Sequence, residues 1–438
     1  MDYAEIKGLS RRLGVRVTDL IALAPQNDPF YTGTPNDWAL AEWFTGLWRA
    51  FGYREGMHLR RIHYQIVSQD PPVALPNGLP YENTMECWDL LNLASKAARY
   101  LGLVDAAAFV DRRNAEAVVY ANYRGYTPEV RVSSYVSRYD FEFPDFPTLP
   151  HYHLVDYRAS QAYHLEIWCE KSTMNDVLLP LCEQYQANLQ IGSGELSITA
   201  ALSLVTRLQQ AGRPARIFYV SDFDPAGQSM PVAMSRKVEY FVNSLGLDLD
   251  IRVFPVVLTL DQVRDFGLPR TPIKETERRR AGFEDRYGEG AVELDALEAL
   301  YPGRLSAILS EYMANYYDEM LNDRVRESEE ALLAELETVQ DAVLGAYEQE
   351  LEVLQVEYEA LKREYTGRME GYGQRVRALW QAIGQDLRAN LPDVGAYPVP
   401  QPYEAEEIGE GLYNSRRDYL SQIVAYKEFQ GKETGVVV

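Results

Sequence analysis

An apolar run and an acidic turn adjoin in the middle of this chain: Ala215-Arg216-Ile217-Phe218-Tyr219-Val220 and Ser221-Asp222-Phe223-Asp224-Pro225-Ala226-Gly227. Nearly continuous apolar character over six residues is typical of a buried strand in a parallel sheet. A second pair of segments has the same plan, because Tyr163-His164-Leu165-Glu166-Ile167-Trp168-Cys169 leads directly into Glu170-Lys171. In both places, acidic residues come immediately after a predicted strand.

The segment between these strands predicts how they are connected. Helical patterns cover residues 173–187 and 197–211, and they are separated by the short apolar run Leu189-Gln190-Ile191 and the turn Gly192-Ser193-Gly194. The order strand, helix, strand, helix, strand favours a parallel sheet with right-handed crossovers. The sequence therefore predicts an α/β fold.

Three carboxylates are expected to meet at one edge of that sheet: Glu170, Asp222 and Asp224. Ligands of open α/β sheets bind beyond the carboxyl ends of the strands. Because like charges repel, a divalent cation is their natural counter-charge. An all-oxygen site that shares its ion with a phosphate suits Mg²⁺, and Mn²⁺ is a possible substitute. An Asp-x-Asp followed by Gly is by itself an ordinary turn; the placement after two parallel strands favours the metal site.

Glu170 and the segment 222–227 resemble the TOPRIM domain, in the form found in topoisomerase VI A subunits and meiotic double-strand-break transesterases. The Asp-x-Asp-Pro-x-Gly pattern supports that subgroup. The resemblance implies a Rossmann-like parallel sheet in which Glu170, Asp222 and Asp224 hold Mg²⁺ against the scissile phosphate. Lys171 is expected to contact DNA.

A second motif supports the same family, since Arg60-Arg61-Ile62-His63-Tyr64 is similar to the Arg-x-Ile-Tyr-Tyr motif of its winged-helix domain. The resemblance implies that Tyr64 attacks the DNA backbone. A tyrosine hydroxyl titrates near pH ~10, so attack at neutral pH needs cationic neighbours, and Arg60, Arg61 and His63 are candidate DNA contacts. The alternative is that Tyr64, one of 31 tyrosines, only contacts phosphate. His63 departs from the family pattern at a flanking position.

The chain is predicted to divide into an N-terminal winged-helix part, a TOPRIM domain and a C-terminal helical arm. The predicted segments are residues 1–50 (helical, a possible helix-turn-helix), 51–125 (winged helix), 126–157 (linker), 158–317 (TOPRIM), 318–392 (coiled-coil arm) and 393–438 (C-terminal tail). Within residues 1–50, helices are expected over 3–13 and 17–24. Residues 38–51 are expected to form a core helix of the winged domain. Arg112 and Arg113 are further candidate DNA contacts.

The C-terminal arm has no proline between residues 318 and 391. Its apolar residues recur in steps of three and four, which indicates an amphipathic helix and favours a coiled coil. That coiled coil would pair two subunits or fold back as a hairpin near residues 367–373. A surface helix of an ordinary bundle is the alternative.

Composition limits the nucleic-acid interpretation, because the 438-residue chain carries a net charge of -22 and DNA binding depends on Lys and Arg. The acidity is uneven: residues 318–438 hold 25 acidic and 12 basic side chains. Cys87, Cys169 and Cys182 lack a zinc spacing, which favours reduced thiols. With no targeting segment or long apolar run, we expect a soluble cytoplasmic protein without membrane contact.

These features together predict Mg²⁺-dependent DNA strand cleavage by tyrosine transesterification in a homodimer. In the resembled family, the tyrosine of one subunit faces the metal site of the other. No Gly-x-x-x-x-Gly-Lys-Ser/Thr motif is present, so any ATPase would be a separate chain, and the arm is a candidate surface for it or for a coiled-coil partner. One alternative is a hydrolytic TOPRIM nuclease acting in defence or plasmid control. The other is a non-enzymatic DNA-binding scaffold.

Overall fold

The computed structural model describes residues 1–110, 117–122, 125–137, 146–192, 197–363 and 369–432. It shows a mixed α/β protein whose strands pair in both parallel and antiparallel directions. The chain forms two units. Unit 1 contains Met1–Tyr123, Ala162–Tyr317 and Glu404–Val438, and unit 2 contains Arg124–Gln161 and Asp318–Tyr403.

The strands, in chain order, are β1 (Glu129–Ser133), β2 (His151–Val155), β3 (His164–Cys169), β4 (Asn188–Ile191), β5 (Ala215–Val220), β6 (Ile251–Val257) and β7 (Tyr413–Asn414). Unit 1 holds a five-stranded sheet in the order β4-β3-β5-β6-β7. Strands β3 to β6 are parallel, as predicted, and β7 adds an antiparallel edge. The two-residue β7 is too short to give a periodic sequence signal, which is why this edge was not predicted.

The helices of unit 1 are α1 (Tyr3–Leu13), α2 (Pro35–Ala50), α3 (Leu59–Val67), α4 (Met85–Tyr100), α5 (Asn175–Gln184), α6 (Ile198–Ala211), α7 (Met230–Ser244), α8 (Leu260–Asp265), α9 (Arg280–Tyr287), α10 (Leu294–Leu300), α11 (Arg304–Met313) and α15 (Tyr419–Phe429). Those of unit 2 are α12 (Leu321–Gly345), α13 (Glu348–Arg363) and α14 (Met369–Ala389). Across the described part of the chain, every helix is too short or too polar to cross a lipid bilayer.

The sheet of unit 1 is covered on both faces. Helices α5 and α11 pack on one face, with Leu178 and Leu309 in its core. Helices α6, α7 and α15 pack on the other, with Leu204 and Val238 in that core. Every residue of β3 and β5 is buried. Polar and apolar residues alternate along the first part of β3, and its polar side chains are buried as well.

The polar residues of β3 are buried because they satisfy one another. Glu166 accepts hydrogen bonds from Arg207 at 3.0 and 2.9 Å, from His164 at 2.9 Å and from Trp168 at 2.8 Å. Burial opposes the ionisation of Glu166, but the Arg207 charge and these hydrogen bonds hold its pKa well below the usual range. A paired and fully hydrogen-bonded carboxylate is tolerated in a core.

The predicted second helix near the N-terminus is wrong. Residues 17–24 form only a 3₁₀ turn, Val17–Leu20. The Asp28 carboxylate accepts hydrogen bonds from the backbone N–H groups of Ala22 (2.9 Å) and Leu23 (3.1 Å). Because a side chain takes up these donors, the backbone does not continue into a helix. The structure therefore has no helix-turn-helix in this segment, which is fully described.

Asp28 also joins a buried network that ties three parts of unit 1 together. The Arg236 guanidinium, on α7, pairs with Asp28 at 3.0 Å and with Glu239 at 2.8 Å. Its central carbon lies 4.1 Å from the centre of the Phe30 ring. The Tyr426 hydroxyl, on α15, donates to Glu239 at 3.1 Å. Residues 404–432 are therefore part of the α/β unit, and the prediction of a separate tail over 393–438 is wrong there.

Helices α2, α3 and α4 share one core, in which Phe44, Ile62 and Leu91 are fully buried. The core helix predicted over residues 38–51 is confirmed as α2. In the loop before α4, Ala74 and Pro80 form an antiparallel bridge. The Trp43 indole N–H fixes this loop by donating to the Ala74 carbonyl at 2.8 Å.

Unit 2 combines the predicted linker with the predicted arm. Strands β1 and β2 pair in antiparallel register, and Tyr152 of β2 donates through its hydroxyl to the Leu387 carbonyl of α14 at 2.9 Å. Residues 126–157 are therefore not simply a linker, although 138–145 lie outside the described residues.

Within the arm, α14 folds back on α13. Tyr358, Tyr372 and Trp380 are buried in one cluster, and the Tyr372 hydroxyl donates to the Leu354 carbonyl at 2.9 Å. Helices α13 and α14 therefore pack against each other, and residues 364–368, where part of the predicted hairpin turn falls, lie outside the described residues.

The Arg236 network predicts a large stability effect. Arg236→Met leaves Asp28 and Glu239 buried without their counter-charge, so we expect the free energy of unfolding to fall by about 3–5 kcal/mol. Urea denaturation followed by circular dichroism measures it. Arg16→Met is the matched control, because Arg16 pairs with Asp19 but its side chain is 83% exposed, and exposed pairs contribute little. Equal effects of the two variants would contradict the role given to the network.

Candidate functional site

The carboxyl ends of β3 and β5 place Glu170 and Asp222 side by side. The two strands are parallel neighbours, and Cys169 pairs with Val220 in their last register position. From β3 the chain moves to β4 on one side and then returns to β5 on the other. Such a change of direction opens a crevice beyond the strand ends, where ligands of α/β sheets bind. The structure thus brings these two predicted site residues together.

The acidic turn after β5 is shaped by a close backbone approach at Gly227. The Gly227 N–H donates to Asp224 Oδ1 at 2.6 Å. A Cβ atom at Gly227 would lie 2.0 Å from the Asp222 carbonyl oxygen, which no side chain can tolerate without a backbone shift. The glycine of the Asp-x-Asp-Pro-x-Gly pattern is therefore required by the turn that presents both aspartates.

Asp222 is oriented by two contacts. Its Oδ1 atom accepts a hydrogen bond from the Leu294 N–H at 2.7 Å, and its Oδ2 atom lies 3.2 Å from the Lys171 ammonium. Burial raises the pKa of Asp222, and the contacts to Leu294 and Lys171 oppose that rise.

Glu170 is less well compensated. Burial, together with the negative charges of Asp222 and Asp224, raises the pKa of Glu170 from 4.5 to about 7, although the Lys171 charge and a hydrogen bond from the Asp222 backbone oppose the rise. Its Oε2 atom is buried and has no hydrogen-bond partner among the described residues. A buried acceptor without a partner costs about 1–3 kcal/mol, so the Glu170 carboxylate is the position in this site that most lacks a cation.

Lys171 contacts three carboxylates and is therefore part of the site itself. Its ammonium lies 2.7 Å from Asp295 and 3.0 Å from Glu293, in addition to Asp222. Burial lowers the pKa of Lys171, but the hydrogen bonds to Asp295 and Glu293 outweigh it, and the pKa lies above its usual value. These contacts use the ammonium that was predicted to bind DNA.

Glu293 and Asp295 were not predicted as site residues. Hydrogen bonds between Phe223 and Val292, at 2.9 and 3.0 Å, bring their segment beside the acidic turn. The sequence signal that could have identified them is a second pair of acidic residues separated by one residue, Glu293 and Asp295, which follows the short apolar stretch Ala291-Val292. Their position depends on a contact across about 70 residues of sequence, which local patterns do not reveal.

The residues at this edge fit Mg²⁺ in their chemistry, since all the donors are carboxylate oxygens and one of them, Glu170 Oε2, has no hydrogen-bond partner among the described residues. As placed, no three His, Cys, Asp or Glu side chains in the described ranges form a group that could hold a metal ion. Lys171 supplies the positive charge beside Asp222 instead.

Tyr64 lies on α3, and its side chain is 59% exposed. Arg60, one helical turn earlier, and Arg61 are also exposed. His63 is buried: its Nδ1 atom lies 2.7 Å from the Tyr81 hydroxyl and its Nε2 atom 3.1 Å from the Asn83 side-chain oxygen. Both ring nitrogens of His63 therefore have partners inside the protein, and its ring packs edge-on against Tyr64 at 5.1 Å.

The structure does not bring Tyr64 into contact with the carboxylates of its own chain. Among the described residues, no hydrogen bond, ion pair or ring contact joins Tyr64 to Glu170, Asp222 or Asp224. The remaining predicted DNA contacts, Arg112 and Arg113, lie outside the described residues.

A comparison of this sequence with protein-family models finds no model that matches, and a comparison with curated proteins finds no match either.

The Gly227 contact predicts a cost for the smallest possible side chain. Gly227→Ala forces the Asp222 carbonyl away, so we expect the free energy of unfolding to fall by about 1–3 kcal/mol, measured by urea denaturation. Gly8→Ala in α1 is the control, since its Cβ meets nothing within 4 Å and alanine favours a helix by about 0.5–1 kcal/mol. Unchanged stability of Gly227→Ala would show that the turn is not constrained as described.

The raised pKa of Glu170 predicts a pH dependence of stability. Between pH 4.5 and about 7 the folded protein binds a proton at Glu170 that the unfolded chain has lost, so stability falls as pH rises through this range. Without added metal, Glu170→Gln should match the wild-type melting temperature near pH 4 and exceed it above pH 7. Glu183→Gln serves as the control, because the Glu183 side chain is exposed. A wild-type melting temperature above that of Glu170→Gln at pH 8 would contradict the raised pKa of the buried Glu170 carboxylate.

Proposed function

We propose that this protein cleaves DNA strands in a Mg²⁺-dependent reaction, with Glu170, Asp222 and Asp224 as the metal ligands. The observation that carries the proposal is the buried Oε2 atom of Glu170, which has no hydrogen-bond partner among the described residues and lies at the sheet edge where burial and the Asp222 and Asp224 charges raise the Glu170 pKa. We further propose that residues 51–125 act as a winged-helix DNA-binding domain and residues 158–317 as a TOPRIM domain. Mn²⁺ would fit the same oxygen ligands.

Bound Mg²⁺ would neutralise charge on the scissile phosphate and on the oxygen atoms that attack and leave. The protein's own residues provide the geometry. The Leu294 N–H fixes Asp222 and the Gly227 N–H fixes Asp224, so two ligands are oriented before an ion arrives. Preorganised ligands of this kind lower the reorganisation that accompanies the reaction.

Tyr64 is the proposed nucleophile. Its hydroxyl oxygen bonds to the phosphorus, the bond from phosphorus to the departing sugar oxygen breaks, and a phosphotyrosyl link remains. The Tyr64 proton passes to water, and the sugar oxygen gains a proton to become a hydroxyl. Attack by that hydroxyl reverses the reaction. Exposed Arg60 and Arg61 favour the developing phenolate electrostatically.

The position of Tyr64 supports a dimeric enzyme. Its exposed side chain makes no contact with the carboxylates of its own chain, so a second copy is needed to combine the tyrosine of one subunit with the carboxylate edge of the other. A homodimer is therefore part of the proposal. A separate ATPase or coiled-coil partner stays a prediction.

Hydrolysis is a second candidate, and the same separation favours it. If Tyr64 never reaches the carboxylate edge, water is the nucleophile there. The metal held by Glu170, Asp222 and Asp224 would then supply the activation of the attacking water. The protein would then be a nuclease, in keeping with an effector of defence or plasmid control, and Tyr64 would only contact DNA.

Cleavage of supercoiled, end-labelled DNA with Mg²⁺ or Mn²⁺ tests these functions. For transesterification, Tyr64→Phe should abolish the covalent protein–DNA adduct and lower cleavage more than about 1,000-fold, and Asp222→Ala should also abolish cleavage. Tyr135→Phe is the control, because Tyr135 is 86% exposed and plays no part in the proposed site. Products are resolved under denaturing conditions.

The outcomes separate the candidates. Cleavage that persists in Tyr64→Phe but is lost in Asp222→Ala assigns hydrolysis. Cleavage that persists in Asp222→Ala overturns the metal site. DNA binding without cleavage by the wild-type protein, with both metals, supports the scaffold and contradicts the enzymatic proposal.

A further inference from the structure

A cavity of about 410 Å³ lies beside the acidic turn and is walled by three arginines, Arg278, Arg279 and Arg286. Arg286 belongs to α9, and Arg278 and Arg279 directly precede that helix. Pro225, in the acidic turn, and Gln228, which directly follows the turn, also line this cavity. A volume of this size is typical of ligand sites in proteins.

The charge of this cavity is only partly compensated. Arg279 is neutralised, since its guanidinium bonds to Glu277 at 2.8 and 3.1 Å and also contacts the Ser229 hydroxyl. Arg278 has no ion pair or hydrogen bond within the described residues. Among the described residues, Arg286 donates to the main-chain carbonyls of Phe429 (2.8 Å) and Glu428 (3.1 Å), which carry no net charge, and to no carboxylate.

Two guanidinium groups of this cavity thus have no carboxylate partner among the described residues. Arg280, from the same run, differs, because it pairs with Glu284 at 2.9 Å and does not line the cavity. The neighbours Arg278 and Arg280 therefore differ in whether their charge is available to an anion.

The cavity adjoins the acidic turn through a second, smaller cavity. A second cavity of about 210 Å³ shares Gln228, Arg286 and Tyr287 with it and reaches Ser221 and Gly227. Asp224 directly precedes Pro225, which lines the larger cavity. One turn thus carries a proposed metal ligand and forms the wall of an arginine-rich cavity.

We propose that this arginine cavity binds a phosphate group of the nucleic-acid strand whose neighbouring phosphodiester lies at the carboxylate edge. The inference rests on the proposed function and names the part of the site that holds the strand. Guanidinium groups recognise phosphate with paired hydrogen bonds. Phosphates follow one another along a strand at every nucleotide, and the turn that carries Asp224 also lines the cavity through Pro225.

This assignment explains how a strongly acidic protein can hold DNA at a cluster of carboxylates. The carboxylates repel the strand until a cation is present, whereas Arg278 and Arg286 attract it at all times. Contacts to phosphate position a strand without reading its sequence. The cavity is thus expected to set the register of the strand and to contribute affinity that does not depend on sequence.

Fluorescence anisotropy with a labelled DNA oligonucleotide tests the assignment, using the full-length protein in EDTA so that binding is measured without cleavage. We expect Arg278→Gln to weaken binding about 10-fold at 50 mM salt and equally for unrelated sequences, and to lower the slope of log K against log salt by about 0.7–0.9. Arg280→Gln, with the same change of charge on the adjacent residue, should bind like the wild type.

Arg286→Gln provides a second measurement, and its melting temperature is compared with wild type because Arg286 also bonds to the end of α15. Arg278 has no such contact, so its variant reports on the cavity without a folding effect. If Arg278→Gln and Arg286→Gln both bind DNA like the wild type, or if Arg280→Gln is weakened equally, the assignment is overturned.

The results also distinguish this inference from the proposed function. Normal binding by the arginine variants with cleavage intact rejects the cavity alone. Arginine-dependent binding without cleavage in Mg²⁺ supports the cavity and rejects the enzymatic proposal. A parallel titration with ATP distinguishes the source of the phosphate: if Arg278→Gln weakens ATP binding while the wild type binds no DNA, the site takes a free nucleotide, and the assignment to a strand is overturned.

Discussion

The negative charge gathered at the ends of β3 and β5 is the constraint on which the rest of the site depends. Parallel pairing of the two strands places Glu170 beside the Asp222–Asp224 turn, and three carboxylates in a partly buried crevice are unfavourable without positive charge. The chain meets this demand only in part. Lys171 pairs with Asp222, Glu293 and Asp295, while Glu170 keeps a raised pKa and a buried oxygen without a hydrogen-bond partner among the described residues.

The other buried charges of unit 1 are satisfied by hydrogen bonds and ion pairs within the protein. Below the site, Glu166 of β3 is saturated by Arg207, His164 and Trp168. On α7, the buried Arg236 guanidinium forms ion pairs with Asp28 and Glu239. Buried ion pairs of this kind are costly to break but contribute little net stability. The contrast with Glu170 is informative, because uncompensated charge in a cleft marks functional sites more often than structural ones.

The chain leaves unit 1 to form unit 2 and then comes back to unit 1. Residues 318–403, within unit 2, are added between segments of unit 1, and the chain then returns to supply β7 and α15 to the sheet. The return explains how α15 can contact both the Arg236 network and the arginine cavity. In unit 2, the apolar stripe of the arm is used within the chain, since α13 and α14 bury Tyr358, Tyr372 and Trp380 together.

The sequence by itself determined the parallel strands, the helices between them and the carboxylates at their ends. Those elements have strong local signals: an alternating run for β3, an apolar run for β5, helical periodicity for α5 and α6, and a glycine where a Cβ would collide with Asp222. Only the tertiary structure decided which residues neutralise which charges. The Lys171 ammonium pairs with Glu293 and Asp295, and the buried His63 ring contacts Tyr81 and Asn83. Within residues 404–432, β7 pairs with β6 at the edge of the sheet. These outcomes depend on contacts between segments distant in sequence, whose energies are set by burial and charge pairing and leave no periodic pattern in the chain.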